Sequence, residues 1–266
     1  MKVLIIYAHP EPRSLNGLLF KTAIDELTKQ GHEVQTSDLY AMNWKSEIDS
    51  TDFPLYGTDE TNPKSKPMII AMQSMIGYTH GQLTEDVKKE QEKLAWSDTV
   101  IFLFPLWWSS WPAIMKGWVD RVFSMGYAYG VGFSAEKPHG ERYGEGVFKG
   151  KRALLAFTAG GPKSYYGELG IGGELFNVLY PIQHNVLFYP GFDVLPPFVA
   201  FNAGMCEQEQ VDGIVSDWKQ YLGAVETAEP YRFRSQNGGD YDLKTLVLKE
   251  ELVEKNVSIL EIHLKK

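Results

Sequence analysis

The sequence predicts a doubly wound α/β fold, and three observations carry that reading. Short apolar runs without alternation recur at residues 3–7, 99–104 and 152–157, as expected of strands buried on both faces. A loop follows each run. Beyond the loops lie segments whose apolar residues recur every three to four positions, the period of helices packed on a sheet. Strands that alternate with helices read as one parallel sheet with right-handed crossovers.

Each element has its own signals. After the first strand, Leu15, Leu19, Ala23 and Leu27 recur every four residues and stop at Gly31, a residue suited to the end of a helix. Residues 40–82 are too long for a plain connection, and Pro54, Pro63 and Pro67 interrupt them. Leu83, Val87 and Leu94 mark a second helix. Thr84 is placed to cap it, and Glu85 and Asp86 suit the positive end of its dipole. Pro112 opens a third helix with Ile114, Trp118 and Val122 in one stripe. Residues 124–150 form a second excursion, rich in glycine and aromatic groups. Val211, Ile214, Trp218 and Leu222 mark a last helix, and residues 229–266 lie beyond it. Residues 1–225 read as one catalytic domain and 226–266 as an extension packed on the body or on a partner subunit. Within that tail, "NVSILEIHLKK" alternates enough for an edge strand or a cover over the partner.

Composition excludes several classes. The 266 residues carry a formal charge of −8, which argues against a general nucleic-acid binder. The lone cysteine, Cys206, leaves no intramolecular disulfide and no cysteine-rich metal site, so no metal is expected. His9 and Pro10 stop the first apolar run too early for a signal peptide. No stretch approaches the roughly 20 apolar residues of a membrane span. The expected location is the cytoplasm.

In open parallel sheets, ligands bind beyond the carboxyl ends of the strands where the strand order reverses. Three loops therefore deserve reading. "HPEPRSLN" is neither a Walker loop nor a Gly-x-Gly-x-x-Gly turn. It places Ser14 and Asn16 at a helix start, where unpaired N–H groups favour a phosphate; a plain helix cap explains Ser14 equally well. "PLWWSSWP" sets Trp107, Trp108 and Trp111 behind a buried strand, although tryptophans more often simply pack. "TAGGPKSYYGELGIGG" offers Gly160 and Gly161 for close backbone approach, or for a tight turn.

The stretches "AHPEPRSLN", "SDLYAMNW", "FPLWWSSWPAIMKGWVDRVF", "TAGGPKSYYGELGIGG" and "YPIQHNVLFYPGF" resemble the NAD(P)H:quinone oxidoreductases of the DT-diaphorase type, in register to about Trp218. The resemblance implies a flavodoxin-like homodimer with a flavin at the subunit interface and NAD(P)H as hydride donor. It implies that His9, Ser14, Leu15 and Asn16 hold the flavin phosphates and the adenosine side. Pro105, Leu106, Trp107 and Trp108 run along the isoalloxazine ring. Thr158, Ala159, Gly160, Gly161 and Tyr166 meet the pyrimidine end. Trp108, Tyr127, Tyr129 and Tyr189 line the substrate pocket, partly from the neighbouring subunit. Tyr166 with the Gly160 and Gly161 N–H groups is the expected catalytic set, because charge spreading toward flavin N1 and the C2 oxygen needs donors there.

The chain departs from that pattern in three places. Gly172 stands where the family has a histidine beside its catalytic tyrosine, Trp107 stands for a glutamine, and an adenine-contacting arginine has no counterpart near Val211. The expected activity is two-electron, ping-pong reduction of quinones or similar aromatic acceptors. The long C-terminal portion favours FAD over FMN. The alternative is a regulatory flavin-fold subunit of a potassium-efflux system.

Overall fold

Lys2–Tyr7 (β1) runs from the first residues of the chain into the centre of a parallel sheet, and Leu15–Lys29 (α1) returns across one face. Glu33–Asp38 (β2) then pairs beside β1. The computed structural model describes residues 1–58, 64–253, 258 and 260–265. Ile70–Thr79 (α2) and Glu85–Trp96 (α3) precede Thr99–Pro105 (β3), and Ala113–Val122 (α4) follows it. Arg152–Thr158 (β4) leads to Leu175–Ile182 (α5), Asp193–Val194 (β5), Phe198–Ala200 (β6) and Gln208–Ala224 (α6). The strand order is β2-β1-β3-β4-β5, with β6 also on β4. The pairings among these strands are parallel.

Pro196 and Pro197 explain why the fifth strand comes in two pieces. Proline cannot donate to a ladder, so β5 pairs Arg152 and Ala153 while β6 pairs Ala156 to Thr158 farther along the same edge. Pro181 acts similarly inside α5, and the helix widens into π geometry over Gln183–Phe188.

Alternate residues of β1 feed two cores. Leu4 and Ile6 join Phe102, Phe104, Trp118 and Phe157 on one face. Val3, Ile5 and Tyr7 join Leu19, Leu27, Leu154 and Trp218 on the other. Trp218 is fully buried and donates its Nε1–H to the Leu19 carbonyl at 3.0 Å, which locks α6 onto α1. Glu90 of α3 is buried too. Its carboxylate accepts from Ser37, Lys93 and the Trp118 indole at 2.6–2.8 Å, so both buried oxygens have hydrogen-bond partners.

Several sequence expectations need adjustment. β3 and β4 each run one residue beyond the apolar runs, to Pro105 and Thr158. The excursion at 40–82 contains α2 and a short 3-10 turn at Ser50–Asp52. Thr84 stands at the start of α3, but its hydroxyl makes no cap bond; it accepts from Arg121 Nη2 at 3.4 Å. Part of the expected tail strand, and Pro63, lie outside the described residues. In the described part, Glu261–His263 is a 3-10 turn, and Leu264 bridges Phe233.

Candidate active site

β1, β3, β4 and β6 end at one edge of the sheet, where Tyr7 is level with Leu103, Pro105 with Thr158, and Thr158 with Ala200. The three loops singled out in the sequence all leave from this edge. Thr158 joins them. Its hydroxyl accepts from Asn16 Nδ2 at 2.7 Å, and its carbonyl accepts from the Leu106 N–H at 2.8 Å. The His9 and Trp107 rings meet at 6.2 Å between centroids. His9, Asn16, Leu106, Trp107 and Thr158 are therefore brought together.

The first loop holds its own shape. Glu11 grips Arg13 through two charge-assisted bonds of 2.8 Å, which hold the Glu11 carboxyl down at about 2, with the Arg13 side-chain bond the main cause. The Glu11 N–H donates to His9 Nδ1 at 3.0 Å, and Nε2 has no hydrogen bond among the described residues. Ser14 caps α1 by accepting from the Gly17 N–H at 3.2 Å. Sequence reasoning missed Gly17: a Cβ there would sit 1.9 Å from the Pro12 carbonyl oxygen, so only glycine lets the loop lie on the helix. The Leu15 and Asn16 N–H groups, at the first turn of α1, have no acceptor among the described residues. Asn16 is buried, and its Oδ1 has no partner among the described residues.

In the second loop, Trp108 is 100% exposed and Trp107 42%. Trp108 and Ser109 adopt φ of 52° and 57°, a left-handed pair that costs energy outside glycine. Pro105 ends β3 and is buried. Trp111 instead packs in the core, against Phe102 and Phe104.

Ala159 and Gly161 are braced by the turn after β6. The Ala159 N–H donates to the Ala200 carbonyl, the Asn202 N–H to the Gly161 carbonyl, and the Ala203 N–H to the Ala159 carbonyl. The sequence reading missed this turn because β6 is three residues long, too short for a periodicity; "FVA" after two prolines was the available signal. The Gly160 and Gly161 N–H groups donate to nothing among the described residues. The fold does not demand glycine at 160, where φ is not positive and a Cβ would meet nothing within 4 Å. Tyr166 packs on Phe201 at 5.9 Å and on Tyr165 at 4.8 Å. Burial, then the neighbouring Tyr165, pushes its hydroxyl pKa up, so it stays a proton-bearing donor.

Gly172 has an unforeseen neighbour. A Cβ at 172 would lie 2.0 Å from Tyr165 Cε1; the Tyr165 ring therefore fills the place of a side chain at 172.

The expected pocket tyrosines are placed differently from one another. Tyr129 packs edge-on against Tyr189 at 6.4 Å, and Tyr143 against Tyr189 at 5.0 Å. Tyr127 is buried between Tyr78 and Phe148 and donates its hydroxyl to the Gln91 carbonyl of α3 at 2.9 Å. Among the described residues, Tyr127, Tyr129 and Tyr189 make no ring contact with the sheet-edge loops.

The arrangement suits a flat, phosphate-bearing cofactor. Two free N–H groups at a helix start match an anion, exposed indoles match an aromatic plane, and two glycine N–H groups match a carbonyl edge that gains negative charge. Among the described residues no cluster of side chains fits a metal ion, and no helix is long and apolar enough to cross a membrane.

Known proteins agree with this fold. A family model described as "Flavodoxin-like fold" matches residues 1–222. The ribosyldihydronicotinamide dehydrogenase-like protein traD of Penicillium crustosum is 50% identical, over 94% of this chain and 90% of its own. The human ribosyldihydronicotinamide dehydrogenase [quinone] is 40% identical, over 86% and 94% of the two chains. A solved Klebsiella pneumoniae structure, whose name carries quinone reductase as a provisional assignment, superposes with a TM-score of 0.93. It is 47% identical over the whole of both chains. Fold, loop geometry and these likenesses place the chain in the flavodoxin-like family to which the ribosyldihydronicotinamide and NAD(P)H quinone dehydrogenases belong.

Proposed function

We propose that the protein is a flavin-dependent quinone reductase that takes hydride from NAD(P)H. The observation that carries this reading is the convergence on Thr158 of three loops, which carry N–H groups at Leu15, Asn16, Gly160 and Gly161 unclaimed among the described residues and the exposed indoles of Trp107 and Trp108. The names of relatives as dehydrogenases and quinone reductases support the enzyme over a regulatory subunit.

Bound flavin would supply the hydride chemistry, accepting from the nicotinamide and passing to the acceptor. The chain's own work is binding and polarisation. The start of α1, with Ser14 and the Leu15 and Asn16 N–H groups, holds phosphate, and His9, whose ring meets that of Trp107, is a further donor. Trp107 and Trp108 flank the ring. Gly160, Gly161 and Tyr166 donate to the edge of the ring where negative charge gathers, and losing one such donor costs about 3 kcal/mol in comparable sites. Tyr165 supports Tyr166 where the family pattern has a histidine. FAD is the flavin we favour, because the chain continues well beyond the flavodoxin-like unit.

A homodimer fits the same site. Trp108, Leu169 and Ile171 are almost wholly exposed on the second and third loops, and a second copy would cover them. Its Tyr129 and Tyr189 would then wall the substrate pocket. Residues 1–225 would form the catalytic unit and 226–266 the extension on it.

The test is direct. Flavin released by heat is identified by mass, and NAD(P)H oxidation is followed with and without a quinone. Bound flavin and quinone-stimulated oxidation are expected. A protein that binds no flavin on reconstitution, or whose flavin NAD(P)H does not reduce, would overturn the reading.

A further inference from the structure

A cavity lies between the tail and the body of the chain, and its lining differs in character from the sheet-edge loops. About 380 Å³ lies between the excursion at Arg142 and Tyr143, the α5 region at Tyr180 and His184, and the tail at Arg234, Gln236 and His263. That volume falls in the range that buries a small organic ligand. None of the lining residues is acidic, in a chain whose formal charge is −8.

Positive charge in this cavity comes from arginine alone. His184 is stacked between Tyr143 and Tyr180, at 4.9 and 4.6 Å, and burial brings its pKa down to about 4. His263 is lowered as well, by burial first and then by Arg234. Both rings are thus neutral near pH 7. Arg234 has a carboxylate partner, Asp240, at 3.0 Å. Arg142 has none among the described residues. Its Nε donates to Gln236 Oε1 at 2.5 Å and its guanidinium lies 5.8 Å over the Tyr189 ring. These contacts orient the group while its terminal nitrogens remain unclaimed among the described residues. An oriented guanidinium with a free fork is the chemistry that takes a carboxylate in two parallel bonds. The stacked Tyr143–His184–Tyr180 wall is rigid and aromatic, and suits a flat ring.

We propose that this cavity binds a small aromatic carboxylate, held by Arg142 at the charged end and seated among the tyrosines at the other. None of the lining residues lies on the three loops that carry the proposed flavin chemistry, although Arg142 and Tyr143 both contact Tyr189, and binding is measured without turnover. Benzoate is the probe and benzamide its uncharged control, each titrated calorimetrically into the flavin-loaded full-length protein. One benzoate per chain is expected, with benzamide at least tenfold weaker. Arg142→Gln should weaken benzoate at least tenfold and leave benzamide unchanged, and Arg142→Lys should fall between. Equal binding of the two probes, undiminished benzoate binding to Arg142→Gln, or no saturable binding at all would overturn the proposal. Should Arg142→Gln fold poorly, Arg142→Lys decides, and undiminished benzoate binding to that variant would overturn the proposal.

Discussion

Tyr166 is a donor whose proton is secured by its surroundings. Burial raises its pKa above the ordinary 10.0, so the hydroxyl stays protonated up to and beyond that pH. Replacing it with phenylalanine keeps the ring against Phe201 and removes one hydrogen bond. A loss of about 1.4 kcal/mol in the transition state is a tenfold slower step. Stopped-flow reduction by NADPH should therefore fall by about one to two decades in Tyr166→Phe, equally at pH 7 and pH 9. Unchanged rates would make Tyr166 only a wall. Gly160 is a complementary case, because the fold leaves room for a side chain there. Gly160→Ala should shift unfolding stability by no more than about 0.5 kcal/mol yet slow flavin reduction, since a methyl group would stand beside the N–H donors. A large stability loss with normal reduction would show that the glycine serves the fold. At Gly172 the opposite holds. A histidine must displace the Tyr165 ring, so Gly172→His should cost about 1–3 kcal/mol by urea unfolding. Tyr165→Ala in the same background should recover most of that loss, giving a clear non-additivity between contacting residues. Additive losses would mean that the two positions do not compete for space.

Among the elements, α4 anchors the long excursion through one buried cation. Arg121 is bound to Asp52 through Nε at 2.7 Å and to Asp86 through Nη2 at 2.7 Å, and its guanidinium lies 4.5 Å over the Trp44 ring. Lys45 adds a second bond to Asp52 at 2.8 Å. Removing one partner of a buried pair leaves an uncompensated charge and typically costs about 3 to 5 kcal/mol. Arg121→Met should reach the lower end of that range, because Lys45 still neutralises Asp52. Urea unfolding of the flavin-free protein is the measurement, and a change below 1 kcal/mol would show that the excursion is held by its apolar contacts instead. This clamp was only partly visible beforehand. Pro54 and Pro67 announced an irregular segment, but nothing local signals that Asp52 would meet an arginine 69 positions later.

For the whole molecule, flavin and stability are linked. A ligand that binds only the folded chain adds about 2.7 kcal/mol at a hundredfold excess over its dissociation constant. For a protein of this size that corresponds to a rise of roughly 5 to 10 °C in the unfolding midpoint. Thermal unfolding with and without added FAD checks this, and an unchanged midpoint would argue that the loops hold no flavin. The same comparison with FMN separates the two cofactors, because the tighter binder gives the larger shift.

By itself the sequence determined the central strands, four of the helices and the three loops that converge at one edge of the sheet. Residues 3–7, 100–104 and 153–157 are apolar and buried on both faces, and α1, α3, α4 and α6 carry a helical period long enough to read. Those signals are local, and burial on a helix face or in a two-sided strand leaves a local pattern. Tertiary structure alone decided the rest. β2 is mostly half-buried, and its six residues "EVQTSD" lack an apolar run; it becomes a strand because β1 offers an open edge. β5 and β6 are too short for any period and exist by pairing with β4. The hydrogen bond from Asn16 to Thr158 spans 142 positions, and the Tyr165 ring over Gly172 depends on how one loop folds back on itself. Contacts of that kind are set by the path of the chain through space, which residue spacing does not encode.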